Sequence, residues 1–182
     1  VATAPWPQSH FWDYSIALYG SPGVAECCLE LQDRYGADVN LLLLAVWLGA
    51  RGARLDRAGW AELERRTRSW QDEVVGRMRA VRRELRAMLD HGRVDPWRRE
   101  RLLALKQGLA ALELDSERLE QHELEALAPG LATPAAPGAA TARANLADYL
   151  ARAGFHPGTV ATLLRAAFPE DPNLPEAGPS VP

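Results

Sequence analysis

Apolar residues recur along this chain three and four positions apart, the period of one face of an α-helix, and nowhere do they alternate as a half-buried strand requires. The densest run is Leu41-Leu42-Leu43-Leu44-Ala45-Val46-Trp47-Leu48. A helix that is apolar on every face belongs inside a bundle, with neighbours all round it. At about ten residues the run is too short to span a bilayer. Gly36 stops the preceding segment, and Asp38 or Asn40 caps this one.

The other elements follow in order. Ser9 caps a first helix, 10–19, with Phe11, Tyr14 or Ser15, and Leu18 at helical spacing. Ser21-Pro22 reads as a cap with proline at the first helical position, starting a second helix that runs to Tyr35. Val24, Cys28, Leu31 and Tyr35 share one of its faces. The central helix ends near Gly49, and 49–53 is a loop.

Asp56 caps a long fourth helix, 57–90. Its apolar positions, Leu63, Trp70, Val74, Met78, Val81, Leu85 and Met88, form a stripe of coiled-coil type. The turn 91–96 ends with Asp95 as cap and Pro96 at the next first position. A fifth helix, 96–127, repeats the stripe with Leu102, Leu105, Leu109, Leu112 and Leu119. Two long striped helices with a short connection predict an antiparallel hairpin. The stripes are longer than the short N-terminal helices can cover.

Residues 129–140 are an Ala/Pro/Gly linker by composition. A helical pair follows at 141–168, with Leu146, Tyr149 and Leu150 on its first member, a turn at 154–158, and Val160, Leu163 and Leu164 on its second. The expected organisation is a flexible arm at 1–8, a helical bundle domain at 9–128, the linker, the C-terminal pair and a disordered tail at 169–182. The expected fold class is all-α, a helical bundle around a buried central helix with a long antiparallel hairpin.

Composition narrows this picture. The chain has 182 residues, 47% hydrophobic and 25% charged, which suits a folded domain with a real core. A net charge of −3 argues against general nucleic-acid affinity. The charge is uneven, however, with arginine dominating 51–101 and acidic residues prevailing on either side. Cys27 and Cys28 are adjacent and have no other cysteine to pair with. That favours a reduced, cytoplasmic setting. The N-terminal Val1-Ala2-Thr3-Ala4-Pro5-Trp6-Pro7 does not read as a signal peptide.

Candidate chemistry lies in the first 40 residues. His10, Tyr14, Gln32, Asp33, Asp38 and Asn40 would form a polar pocket if the first three helices converge. Asp33 and Asp38 could share a hard cation, but helix capping and a satisfied buried corner account for the same residues. No metal or cofactor is therefore expected. Catalytic signatures such as Cys-x-x-Cys, His-Glu-x-x-His or a phosphate loop are lacking. A second candidate is the basic surface of Arg65, Arg68, Arg79, Arg82, Arg83 and Arg86. It could hold a polyanion, but no aromatic residues interleave as stacking platforms. Glu113, Asp115, Glu117, Glu120, Glu123 and Glu125 on the fifth helix are natural complements within the hairpin or across a dimer.

The N-terminal motifs Phe11-Trp12-Asp13-Tyr14-Ser15, Tyr19 with Pro22-Gly23-Val24, and Cys28-Leu29-Glu30-Leu31-Gln32-Asp33 leading into Gly36-Ala37-Asp38-Val39-Asn40-Leu41 form a distinctive set. They resemble the signature of an uncharacterised bacterial family, conserved hypothetical proteins with a domain of unknown function. The resemblance implies membership and no activity. The favoured expectation is a non-enzymatic interaction or regulatory module whose hairpin binds a protein partner or a second copy. The alternatives are a small enzyme or ligand-binding protein with a pocket among the first three helices, and RNA or ribosome binding through the arginines.

Overall fold

The computed structural model describes residues 4–90, 94–152 and 157–174. Expectations for the tight turn at 91–93, most of the turn at 154–158 and the tail beyond 174 lie outside them, as do those for 1–3. The protein is all-α, apart from one two-residue strand pair. It folds as two compact units, Val1–Glu64 with His122–Pro182, and Arg65–Gln121.

The first unit is built on the apolar run. Helices α1 (His10–Tyr19), α2 (Val24–Tyr35) and α3 (Val39–Ala50) follow one another closely. Ser9 caps α1 by accepting from the Trp12 N–H at 3.0 Å. Asp38 caps α3 by accepting from the Asn40 N–H at 2.8 Å. Helix α2 starts later than Ser21-Pro22 predicts. The Ser21 hydroxyl donates back to the Ala17 carbonyl, and Gly23, at φ 78°, makes the turn into the helix. Every residue of α3 from Asn40 to Gly49 is buried. Each of its leucines stabilises the fold by roughly 1.5–3 kcal/mol on transfer from water. Phe11 packs its ring on Trp47 at 5.3 Å, joining α1 to α3.

The cover for α3 comes chiefly from α7 (Ala139–Tyr149), near the far end of the chain. A Cβ on Gly49 would lie 2.4 Å from the Ala142 backbone, so the two helices approach closely at that point. Helix α8 (Ala161–Ala167) lies against α2.

The stretch 129–140, expected as a linker, runs along the end of α3. Its Ala135 N–H donates to the Gly52 carbonyl at 2.8 Å, and the Gly138 N–H to Gly49 at 2.9 Å. Strand β1 (Ala53–Arg54) pairs antiparallel with β2 (Thr133–Pro134), where the sequence pattern shows no strand. Two residues are too few for alternation to register.

The second unit is a helical hairpin. One arm, expected as a single helix over 57–90, is α4 (Arg57–Trp70), a π-helical turn (Gln71–Val75) and α5 (Gly76–Asp90). Gly76 permits the wide turn: its N–H reaches the Gln71 carbonyl five residues back, and a Cβ there would sit 2.9 Å from that oxygen. The other arm is α6 (Pro96–Leu127).

The arms run antiparallel. Trp70 Nε1 donates to the Ser116 carbonyl at 3.1 Å, and Arg82 Nε to Glu113 at 2.7 Å. Near the turn, Arg99 reaches the Leu89 carbonyl at 3.4 Å. The inner surface mixes charge with apolar residues: Val75 and Leu89 are buried, and Val74, Met78, Leu85, Leu102 and Leu109 are half-buried. Glu113 is only 8% exposed, while Leu105 and Leu112 of the expected apolar stripe are 59% and 57% exposed.

Candidate functional site

Two regions concentrate chemistry, the polar residues of the first unit and the two flanks of the hairpin. In the first unit, the strongest constellation centres on Asn145, which is fully buried in α7. Its Oδ1 accepts from the Leu55 N–H at 3.0 Å and from Arg54 Nη1 at 3.2 Å. Its Nδ2 donates to the Ala45 carbonyl at 3.2 Å and the Ala53 carbonyl at 3.0 Å. All four sites of the amide are used, which ties α7 to α3 and β1.

One turn along α7, Asp148 accepts from Arg54 and, at 3.4 Å, from Arg57. A shallow pocket of about 160 Å³ lies beside this pair, lined by Arg57, Trp60, Glu64, Asp148 and Tyr149. Asp148 is neutralised by its arginines, and the Tyr149 hydroxyl accepts the Asp38 N–H at 2.7 Å. Those contacts hold α7 against β1 and the starts of α3 and α4.

The six residues expected to form a pocket are placed as follows. Asp38 and Asn40 come together at the start of α3, where Asn40 is buried. Tyr14 is half-buried in α1, and its hydroxyl has no hydrogen-bond partner among the described residues; the same holds for the buried Ser15 hydroxyl beside it. Burial pushes the Tyr14 phenol up to about 12. Gln32 is half-buried and Asp33 exposed at the end of α2. His10 is exposed at the start of α1, where its backbone N–H donates to Glu125 at 3.2 Å.

The adjacent thiols are both buried. Burial pushes Cys27 up and Cys28 to about 12, away from the thiolate form that nucleophilic chemistry needs. Among the described residues no group of three or more His, Cys, Asp or Glu side chains is placed to hold a metal ion. Nor is any described helix long and apolar enough to cross a membrane.

On the hairpin, two members of the expected basic surface turn inward. Arg79 pairs with Glu113 at 3.2 Å and Glu117 at 2.5 Å, and Arg82 pairs with Glu113. Burial alone would lower the Arg79 pKa, but its two carboxylate partners outweigh this and raise it. Arg86 pairs with Asp90 at 3.6 Å in the open, where such a bridge contributes little. Arg65, Arg68 and Arg83 are exposed.

The charges hold the two arms together, and large apolar side chains are left outside. Val81 and Met88 on α5, and Trp97, Leu105, Leu112 and Leu119 on α6, are each between 47% and 67% exposed. Sequence reasoning found Val81, Met88, Leu105, Leu112 and Leu119 as members of the two apolar stripes, but not Trp97. It did not single out Asn145 or Asp148 as a site, although their signal was two polar residues set among the apolar contacts of α7.

No curated protein and no solved structure matches this chain. One family model does, over residues 10–124, a span that takes in both arms of the hairpin as well as the N-terminal motifs. The chain therefore belongs to the family described as protein of unknown function DUF2390.

Proposed function

We propose that this protein is a non-enzymatic interaction module that binds a protein partner through one face of its hairpin. The observation that carries the reading is the exposure of Val81, Met88, Leu105, Leu112 and Leu119 on two helices whose inward surfaces are already joined by ion pairs. Contiguous apolar surface of this kind marks interaction sites on folded proteins. The arginines lend less support to an RNA-binding reading, because Arg79 and Arg82 are engaged by Glu113 and Glu117.

The test is a photo-crosslinking amino acid placed at Leu112 and, as control, at Arg83 on the opposite flank of the hairpin. Discrete crosslinked products from Leu112 in cells, and none from Arg83, are the expected result. Equal or no labelling from both positions would defeat the reading.

A ligand pocket among the first three helices has one favourable observation, the buried hydroxyls of Tyr14 and Ser15, which have no hydrogen-bond partner among the described residues. Such groups are costly unless something bonds them. A small molecule that raises the melting temperature of the wild-type protein, but not of Tyr14→Phe, would favour this second reading.

A further inference from the structure

Resting on the interaction reading, we infer that the hairpin's partner is a second copy of the same hairpin, packed face to face about a twofold axis through the layer of Val81 and Leu112. The argument begins with register. Arg79 and Arg82 on α5 both reach Glu113 on α6, which fixes the levels of the two antiparallel arms. That register sets Val74 level with Leu119, Val81 with Leu112, and Met88 with Leu105. In each arm these residues repeat every seven positions, or about 10.5 Å of helix. A helical period of 3.6 then turns both sets to the same side of the hairpin, roughly a quarter-turn from the inward-facing Arg82 and Glu113. The result is one face with three apolar layers. A seven-residue repeat on paired helices is the pattern that receives other helices, knobs into holes.

The occupant is identified by self-complementarity. A C2 interface brings the same patch together twice, with the central residues meeting their own copies. An axis perpendicular to the helices through Val81 and Leu112 lays α5 antiparallel on its copy, and α6 on its copy. Leu105 then meets Leu119 of the other copy, and Val74 meets Met88. On the α5 rim, Arg77 lies four residues before Val81 and Glu84 three after it, so each arginine comes beside the glutamate of the other copy. Both side chains are exposed, and Arg77 pairs with Glu73 in the same arm.

On α6, Gly108 lies four residues before Leu112 and Ser116 four after it, so the axis places one over the other. A glycine in a helix interior costs about 1 kcal/mol against alanine, and nothing within 4 Å of a Cβ at Gly108 explains it within this chain. A helix crossing closely at that point does. The Ser116 hydroxyl already donates to the Leu112 carbonyl at 2.8 Å, so it can be covered without losing a partner. The five exposed side chains present on the order of 400–500 Å² of apolar surface, more than half of the ~800 Å² per partner of a standard interface. The flanking polar residues supply the remainder.

Sedimentation velocity on the full chain from about 1 to 100 µM tests this, a range that brackets micromolar association. The wild-type protein is expected to run as a dimer at the upper end. Leu112→Glu sets two carboxylates against each other on the axis and should leave a monomer with an unchanged far-UV spectrum. Arg77→Glu and Glu84→Arg should each weaken the dimer roughly tenfold or more. The double variant, with the charges exchanged, should recover it. A wild-type chain that stays monomeric at the upper concentration overturns the pairing, as does a dimer that Leu112→Glu leaves intact. So does a double variant no better than the singles. The broader interaction reading falls only if the Leu112 crosslinker is also silent or labels no more than the one at Arg83.

Discussion

The Asp38 backbone N–H is held by the Tyr149 hydroxyl at 2.7 Å, a bond between residues 111 positions apart. It ties the start of the buried helix α3 to the end of α7. Tyr149→Phe keeps the ring on Trp60, whose centroid is 5.4 Å away, and removes the hydroxyl, which accepts from the Asp38 N–H and donates to the Asp38 carbonyl at 3.5 Å. The expected loss is about 1–2 kcal/mol, the cost of stranding a part-buried donor. Urea denaturation checks it; a loss below about 0.5 kcal/mol would mean that the bond adds nothing beyond what water supplies.

Asn145 should be less forgiving. Asn145→Asp replaces the two N–H donors of Nδ2 with one oxygen that faces both the Ala45 and the Ala53 carbonyl, and leaves a charge in a fully buried site. A loss of roughly 3 kcal/mol or more is expected near neutral pH. Arg54, at 3.2 Å from the present Oδ1, offsets part of that cost. The variant should therefore be destabilised while the equally conservative Asn173→Asp, on the surface, is not.

Gly49→Ala tests the close approach of α3 and α7. Helix propensity favours alanine by about 1 kcal/mol. Against that, the new methyl would sit 2.4 Å from both Cα and N of Ala142. Overpacking costs typically 1–3 kcal/mol, and more when backbone must move, so the variant should be destabilised. Because the obstacle is backbone, adding Ala142→Gly should not restore the melting temperature. Full recovery in that double variant would show that the methyl of Ala142 alone sets the distance.

Glu113 joins the hairpin arms by receiving both Arg79 and Arg82. Glu113→Ala leaves Arg79 its bridge to Glu117 and takes from Arg82 the carboxylate it holds, at a cost of about 2 kcal/mol or more for this part-buried cluster. Glu73→Ala, which removes an exposed bridge to Arg77, should change stability by less than about 0.5 kcal/mol. Hydrogen exchange localises the effect: protection should fall in α5 and the middle of α6 for the first variant only.

The alkaline limb of stability follows from Tyr14 and Cys28. Both have pKa values raised to about 12 in the folded chain, from 10.0 and 9.0. Their burial in the neutral form is fully compatible with folding below the unfolded values. Unfolding then releases protons as pH rises from 9 toward 12, so stability falls across that window. Tyr14→Phe should flatten the part above pH 10. Because its hydroxyl has no described partner, the same variant should not lower stability at neutral pH. A steeper alkaline loss in Tyr14→Phe would contradict the assignment.

The local rules of helix formation were largely readable from the sequence. Ser9, Asp38 and the Gly36 stop are written in residue types whose physics acts over three or four positions. The all-α class and the buried centre at 41–48 follow from the same period. What eluded the sequence depends on partners distant along the chain. The stripe on α6 looks like a seam because spacing reveals which leucines share a face, but not which way that face points. Arg79 and Glu113 took the inside because each finds its opposite charge there. The fate of 129–140 was hidden likewise, since its glycines and prolines specify no element until Gly49 and Gly52 offer carbonyls. Asn145 and Asp148 were not legible as a site because a polar residue on a short helix announces nothing until Arg54 and Ala45 are beside it. For Tyr14, the sequence pointed to a polar candidate, and its burial without a partner emerged only from packing.

The cover that α7 gives to α3 has a consequence for synthesis. Helix α3 ends at Ala50 and α7 begins at Ala139, so a ribosome making about 5–20 residues per second exposes the leucine run for several seconds before its main neighbour exists. The hairpin between them closes through contacts nearer in sequence, and can form in that interval. The nascent chain thus carries its most aggregation-prone segment unshielded while its middle is already folded. Holdase chaperones should engage arrested chains ending near residue 125 and release those extended past α7.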